Sequence, residues 1–70
     1  MNELWKYDKG YIAGYTEDKQ LMQRIKRYKP RWELVATYFD TRNVKDARQY
    51  RIPAEDRRQA ERMFNTKLQK

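Results

Sequence analysis

The chain has 70 residues, no cysteine and no histidine, and its 17 lysines and arginines against 10 acids give a formal net charge of +7. This length fits one domain, residues 1–70, with a thin core, and the missing residue types exclude disulfides, thiolate metal sites and a histidine base. No apolar run approaches the roughly 18 residues that a membrane span needs, so the sequence predicts a cytoplasmic protein without a membrane partner.

Two aromatic segments open the chain. Residues 5–7 and 11–15 flank Asp8-Lys9-Gly10, and a glycine at the third position of a turn adopts positive φ without steric cost. We expect a hairpin here. Gly14, inside the second arm, indicates a bulge or a close approach to a helix.

A helix is predicted over residues 17–28. Thr16 is a suitable N-cap, the acids at 17 and 18 suit the first turn, and Pro30 ends the pattern. The apolar residues that repeat at helical spacing are Leu21, Met22, Ile25 and Tyr28. The face opposite this stripe carries Lys19, Gln20, Gln23, Lys26 and Arg27.

Residues 32–39 have the composition of a strand, and they contain no basic residue. Strict alternation places one almost wholly apolar set on the face that we expect the helices to cover: Trp32, Leu34, Ala36 and Tyr38. This segment is predicted to be the central strand of the sheet.

The second half of the chain repeats the pattern of strand followed by helix. A turn at 40–43 leads into a strand over 44–52, antiparallel to the previous one and a candidate for the sheet edge, with Tyr50 and Ile52 on one face. Pro53 then fits the first position of a helix over about 53–67, whose apolar stripe is Ala60, Met63, Phe64 and Leu68. The predicted fold is a small α+β sandwich, β(β)αββα, with a three- to four-stranded, mainly antiparallel sheet and both helices on one face.

The positive charge is concentrated in residues 19–31, which contain six cations and no acid. Such a face can bind phosphates while glutamines contact base edges, although a solvated surface has the same composition. The leading hypothesis is therefore a non-catalytic protein that binds DNA or RNA with an affinity that falls steeply with salt. The predicted contact residues are Lys19, Gln23, Lys26, Arg27, Lys29 and Arg31, extended by Arg51, Arg58 and Arg62.

The alternative hypothesis is an adaptor or inhibitor that docks on an acidic protein surface. A continuous basic groove across both helices favours nucleic acid, whereas an exposed apolar patch on the sheet favours protein docking. A homodimer is compatible with either and would help a thin core. Among the aromatics, Trp32, Tyr38 and Phe64 are expected in the core, while other sheet tyrosines are candidates for base stacking.

Neither catalysis nor a cofactor or metal is expected. The acids fall mostly in turns and helix starts, and the two glycines, Gly10 and Gly14, do not form a phosphate-binding loop. Arg57 and Arg58 lie at helical pairing distances from Glu61, which fits helix support. The βαββα order is similar to that of the RNA-recognition motif without its last strand. The 44–52 segment lacks that family's Gly-Phe core, however, so the likeness is one of element order and carries no function.

Overall fold

The computed structural model describes residues 2–40 and 45–69, without the side chains of residues 40 and 45. Five strands form one sheet in the order β3-β4-β2-β1-β5, antiparallel except for β1 against β5. The predicted α+β sandwich is confirmed, with five strands in place of three or four. In chain order the elements are β1 (Asn2–Asp8), β2 (Tyr11–Thr16), α1 (Lys19–Tyr28), β3 (Glu33–Asp40), β4 (Lys45–Pro53), a 3₁₀ turn (Ala54–Asp56), α2 (Arg57–Phe64) and β5 (Leu68–Gln69).

The predicted hairpin joins β1 to β2, and its two glycines have different roles. Gly10 has a φ of 81°, in the left-handed region that a turn needs. Gly14 faces the helices, and a Cβ added there would lie 2.7 Å from Cζ of Phe64. The close approach to a helix that the sequence indicated is therefore what Gly14 provides.

Helix α1 ends at Tyr28 as predicted but starts two residues later, because Asp18 rather than Thr16 caps it. The Asp18 carboxylate accepts from the amides of Gln20 and Leu21 at 2.9 and 3.4 Å. Thr16 is fully buried, and its hydroxyl donates to Oδ1 of Asn2 at 2.6 Å. Tyr28, which was predicted to belong to the apolar stripe of this helix, is 62 % exposed.

Strand β3 is the one clear error in the predicted topology, since it lies at the edge of the sheet and not at its centre. A register shift between Leu34 and Ala36 reverses the alternation, so that Leu34 lies opposite buried Tyr50 whereas Tyr38 lies opposite Ala47. Tyr38 is 50 % exposed, so its predicted place in the core is wrong, while Trp32 and Phe64 are buried as expected.

Strand β4 was a candidate for the sheet edge from its sequence, but it lies inside the sheet, between β3 and β2. Pro53 is its last residue instead of the first residue of α2, and α2 ends at Phe64, where Asn65 adopts φ of 53°. Leu68 leaves the helix for β5, although it still packs against the core. The predicted turn at 40–43 falls largely outside the described residues.

The core lies between the sheet and the two helices. Its buried members are Leu4, Ile12, Leu21, Ile25, Trp32, Tyr50, Ile52, Ala60 and Phe64. Every strand residue of this cluster points to the same face of the sheet, as the pairing of Ile12 with Ile52 shows. The two helices cover that face, and neither is long and apolar enough to cross a bilayer within the described chain.

Candidate nucleic-acid interface

The sheet divides the described molecule into two sides. We call the layer formed by α1, α2 and their flanking turns the helical side, and the opposite face of the sheet the open side. The segments of the helical side, residues 18–31 and 54–67, contain ten lysines and arginines and four acids. Charge on this side is therefore strongly positive before any pairing is considered.

Helix α1 presents its polar face to solvent because Leu21, Met22 and Ile25 are buried against the sheet. Lys19, Gln23, Lys26 and Arg27, four of the predicted contact residues, are exposed on this helix. Within the described residues, none of the three cations among them has an ion pair.

The acids of the helical side are already engaged in local contacts. Asp18 caps α1, Asp56 accepts from Nε1 of Trp32 at 3.0 Å, and Glu55 pairs with Arg31 at 3.2 Å. Glu61 accepts from the amide of Leu68 at 2.9 Å, and within the described chain it has no ion pair with Arg57 or Arg58. Among the described residues, no exposed cation of either helix therefore has an ion pair with a carboxylate.

Two side-chain contacts connect α1 and its C-cap to α2 on the helical side. Nη2 of Arg24 donates to the carbonyl of Met63 at 3.4 Å, and Nζ of Lys29 donates to Oε1 of Gln59. Arg58 and Arg62 are exposed on α2. Two contacts therefore join α1 to the helix that carries these two predicted residues.

Three of the predicted contact residues have structural partners instead of free charges. Lys29 also lies over the Trp32 ring at 5.8 Å, and Arg31 is held by Glu55. Arg51 projects on the open side, where it pairs with Glu33 at 3.3 Å and stacks on Tyr11 at 4.3 Å. The structure thus separates Arg51 from the helical cations.

Arg48 is a further cation on the helical side and was not among the predicted contact residues. It projects from β4 into a cleft of about 360 Å³ between the end of α1 and strands β3 and β4. The cleft is lined by Ile25, Lys26, Lys29, Pro30, Trp32, Leu34, Arg48 and Tyr50. Nε of Arg48 is buried and has no hydrogen-bond partner among the described residues.

A sequence signal for Arg48 did exist. Arg48 shares its strand face with Tyr50 and Ile52, the residues predicted to point inward. An arginine on the inward face of a strand is uncommon unless it is paired. Asp46 lies two residues earlier on the same face but makes no ion pair with Arg48 in the described part of the chain.

The open side has a different chemistry, built from aromatic rings and carboxylates. The rings of Tyr15 and Tyr38 lie 6.2 Å apart, and the Tyr15 hydroxyl donates to Oε2 of Glu17 at 3.0 Å. Partial burial, followed by this hydrogen bond and the charges of Glu17 and Glu3, raises the pKa of Tyr15 above its usual value of 10.0. Carboxylates around these rings disfavour a phosphate chain on this face.

The chain matches no protein family, no curated protein and no solved structure. In the described segments no group of three or more acids forms a set able to hold a metal ion.

Proposed function

We propose that this protein binds nucleic acid through its helical side, as a non-catalytic nucleic-acid-associated protein. The observation that carries the proposal is the imbalance of partners on that side. Its acids are used in caps, turns and one ion pair, whereas Lys19, Lys26, Arg27, Arg58 and Arg62 have no ion pair within the described residues. A phosphate backbone supplies the anions that the protein itself does not.

Arg48 and its cleft supply the most specific contact of the proposed interface. A buried guanidinium nitrogen without a partner is costly, and a phosphate oxygen that enters the cleft would accept its hydrogen bond. Lys26 and Lys29 line the same cleft and add positive charge there. We place the strongest phosphate contact at this cleft and the weaker ones along the outer faces of α1 and α2.

The aromatic open side does not take part in this proposal. Base stacking on Tyr11 competes with Arg51, which already occupies its ring face, and Tyr15 is bonded to Glu17. We therefore assign to the tyrosines of this face a role in the fold and in contacts other than nucleic acid. The proposed binding mode therefore differs from that of single-strand binding proteins, in which bases stack on aromatic side chains.

The test is fluorescence anisotropy with labelled single- and double-stranded DNA and RNA across a salt series. If the five unpaired cations contact phosphates, log K should fall with log salt with a slope of about −4. Lys26→Glu should weaken binding at least about tenfold. Lys9→Glu, the same charge change at the exposed β1–β2 turn, should change affinity much less.

Two results would overturn the proposal. One is the absence of binding to any of the four nucleic acids at moderate salt. The other is an equal loss of affinity in Lys26→Glu and Lys9→Glu, which would show that net charge alone attracts polyanions. In that case the helical side is a docking face for an acidic protein surface, and a pull-down with acidic partners becomes the next experiment.

A further inference from the structure

The free edge of β3 is the second unusual surface of this protein. Six large hydrophobic side chains are exposed in the described residues, and four of them lie on β3: Leu34, Val35, Tyr38 and Phe39. Their exposed fractions are 46, 36, 50 and 63 %. The other edge of the sheet is the two-residue strand β5, so β3 is the long edge.

Edge strands usually carry protection against pairing with another chain, most often lysine. Strand β3 has no lysine or arginine. Its one described protective feature is the register shift at Val35, which leaves residues 36–39 in regular register with β4. A strand with free backbone groups, exposed apolar side chains and no guarding cation is a template for a further strand.

We infer that β3 pairs with β3 of a second copy, antiparallel and about a two-fold axis near Thr37, so that two five-stranded sheets become one. The arrangement of apolar residues supports this occupant. Pairs of exposed apolar residues, 34–35 and 38–39, flank the small residues 36 and 37 on both sides. Antiparallel self-pairing therefore brings Phe39 of each copy beside Val35 of the other.

Charge does not oppose the seam itself. Glu33 is paired with Arg51 of the neighbouring strand at 3.3 Å, and Asp40 lies opposite Lys45 in the β3–β4 register. Glu33, at the start of β3, thus has a cationic partner within its own copy. The two-fold axis of such a pair is perpendicular to the sheet and keeps the helices of both copies on one side.

The dimer also has a consequence for nucleic-acid binding, which rests on the proposed function. The cleft lined by Lys26, Leu34 and Arg48 shows that α1 lies over the β3–β4 end of the sheet. Pairing through β3 therefore places the two basic helices on either side of the seam. Their mutual repulsion weakens the dimer at low salt, and a nucleic acid bound across both helices should stabilise it.

Sedimentation equilibrium of the full chain, without nucleic acid and at moderate salt, tests the inference. The wild-type chain should reach a dimer as concentration rises. Phe39→Lys and Val35→Lys should each increase the dimer Kd at least about tenfold, because a two-fold seam contains every substitution twice. Tyr7→Lys is the matched control, since Tyr7 is 47 % exposed but lies on β1, and it should leave Kd unchanged.

Far-UV circular dichroism checks that the variants are folded, and hydrogen exchange of the wild-type chain gives a second measurement. Amides of β3 should become more protected as concentration rises, while those of α1 should not. A wild-type chain that stays monomeric overturns the inference, as does a dimer that both β3 variants leave intact. A monomer that still binds nucleic acid would contradict only this inference, whereas a dimer that binds none would contradict only the proposed function.

Discussion

The two sides of the sheet solve different problems with the same few residue types. On the helical side, Phe64, Ile25 and Trp32 fill the core, and the exposed cations of both helices have no ion pair among the described residues. On the open side, the cation Arg51 is satisfied twice, by Glu33 and by the Tyr11 ring. The partners that charged side chains already have are therefore a better guide to a binding surface than the number of charges.

This contrast explains which residues the sequence could and could not assign. Alternation and helical spacing correctly predicted the core residues Ile25, Ile52 and Phe64, because burial imposes a regular period. The period failed in β3, where one extra residue at Val35 moves Tyr38 to the open side. A bulge has no compositional signature, so strict alternation could not reveal it.

The position of β3 in the sheet was also beyond the sequence pattern. Its composition suits a buried strand, but strand order depends on β4 pairing with β2, a contact between segments more than 30 residues apart. In the candidate site, the exposed position of the α1 cations could be predicted from helical spacing. The pairing of Arg31 with Glu55 and of Arg51 with Glu33 did not, since both require the tertiary fold.

The largest expected effect is the loss of stability when the Phe64 ring, which is buried in the core on the helical side, is removed. Phe64 is 1 % exposed and packs 6.4 Å from the Trp32 ring. Phe64→Ala should lower the free energy of unfolding by about 3–5 kcal/mol, enough to abolish a cooperative transition in a chain this small. Tyr7→Ala, an exposed ring on β1, should cost less than about 1 kcal/mol in the same urea titration. Equal costs would show that the core is not where the structure places it.

A smaller effect should separate stability from binding at Arg48. Replacing Arg48, whose Nε is buried without a hydrogen-bond partner among the described residues, with an apolar side chain of similar length removes the desolvation penalty of that nitrogen. Arg48→Met should therefore leave the melting temperature unchanged or raised, while affinity for nucleic acid falls about tenfold through the loss of one charge-assisted contact. Thermal melts and anisotropy on the same preparation check this pair of opposite changes. A variant that is both less stable and weaker in binding would make Arg48 a structural residue.

The smallest expected effect is a titration on the open side. Glu17→Gln removes a negative charge from the acceptor of the Tyr15 hydroxyl, so the pKa of Tyr15 should decrease toward its usual value. Since the folded state holds this proton more tightly, the free energy of unfolding should decrease as pH rises above about 10. Tyrosinate absorbance of the two proteins measures the shift. An unchanged pKa in the variant would mean that the charge of Glu17 does not contribute to the raised value.

The central claim is that the helical side, not the open side, contacts nucleic acid, and backbone amide NMR tests it most directly. A short oligonucleotide is titrated into the full chain at moderate salt, and the amide shifts are mapped onto the fold. We predict that the largest shift changes occur in the amides of α1, of α2 and around Arg48, and that the amides of Tyr11 and Tyr15 are unaffected. Changes concentrated on Tyr11, Tyr15 and Arg51 would contradict it and would make the aromatic face the binding surface.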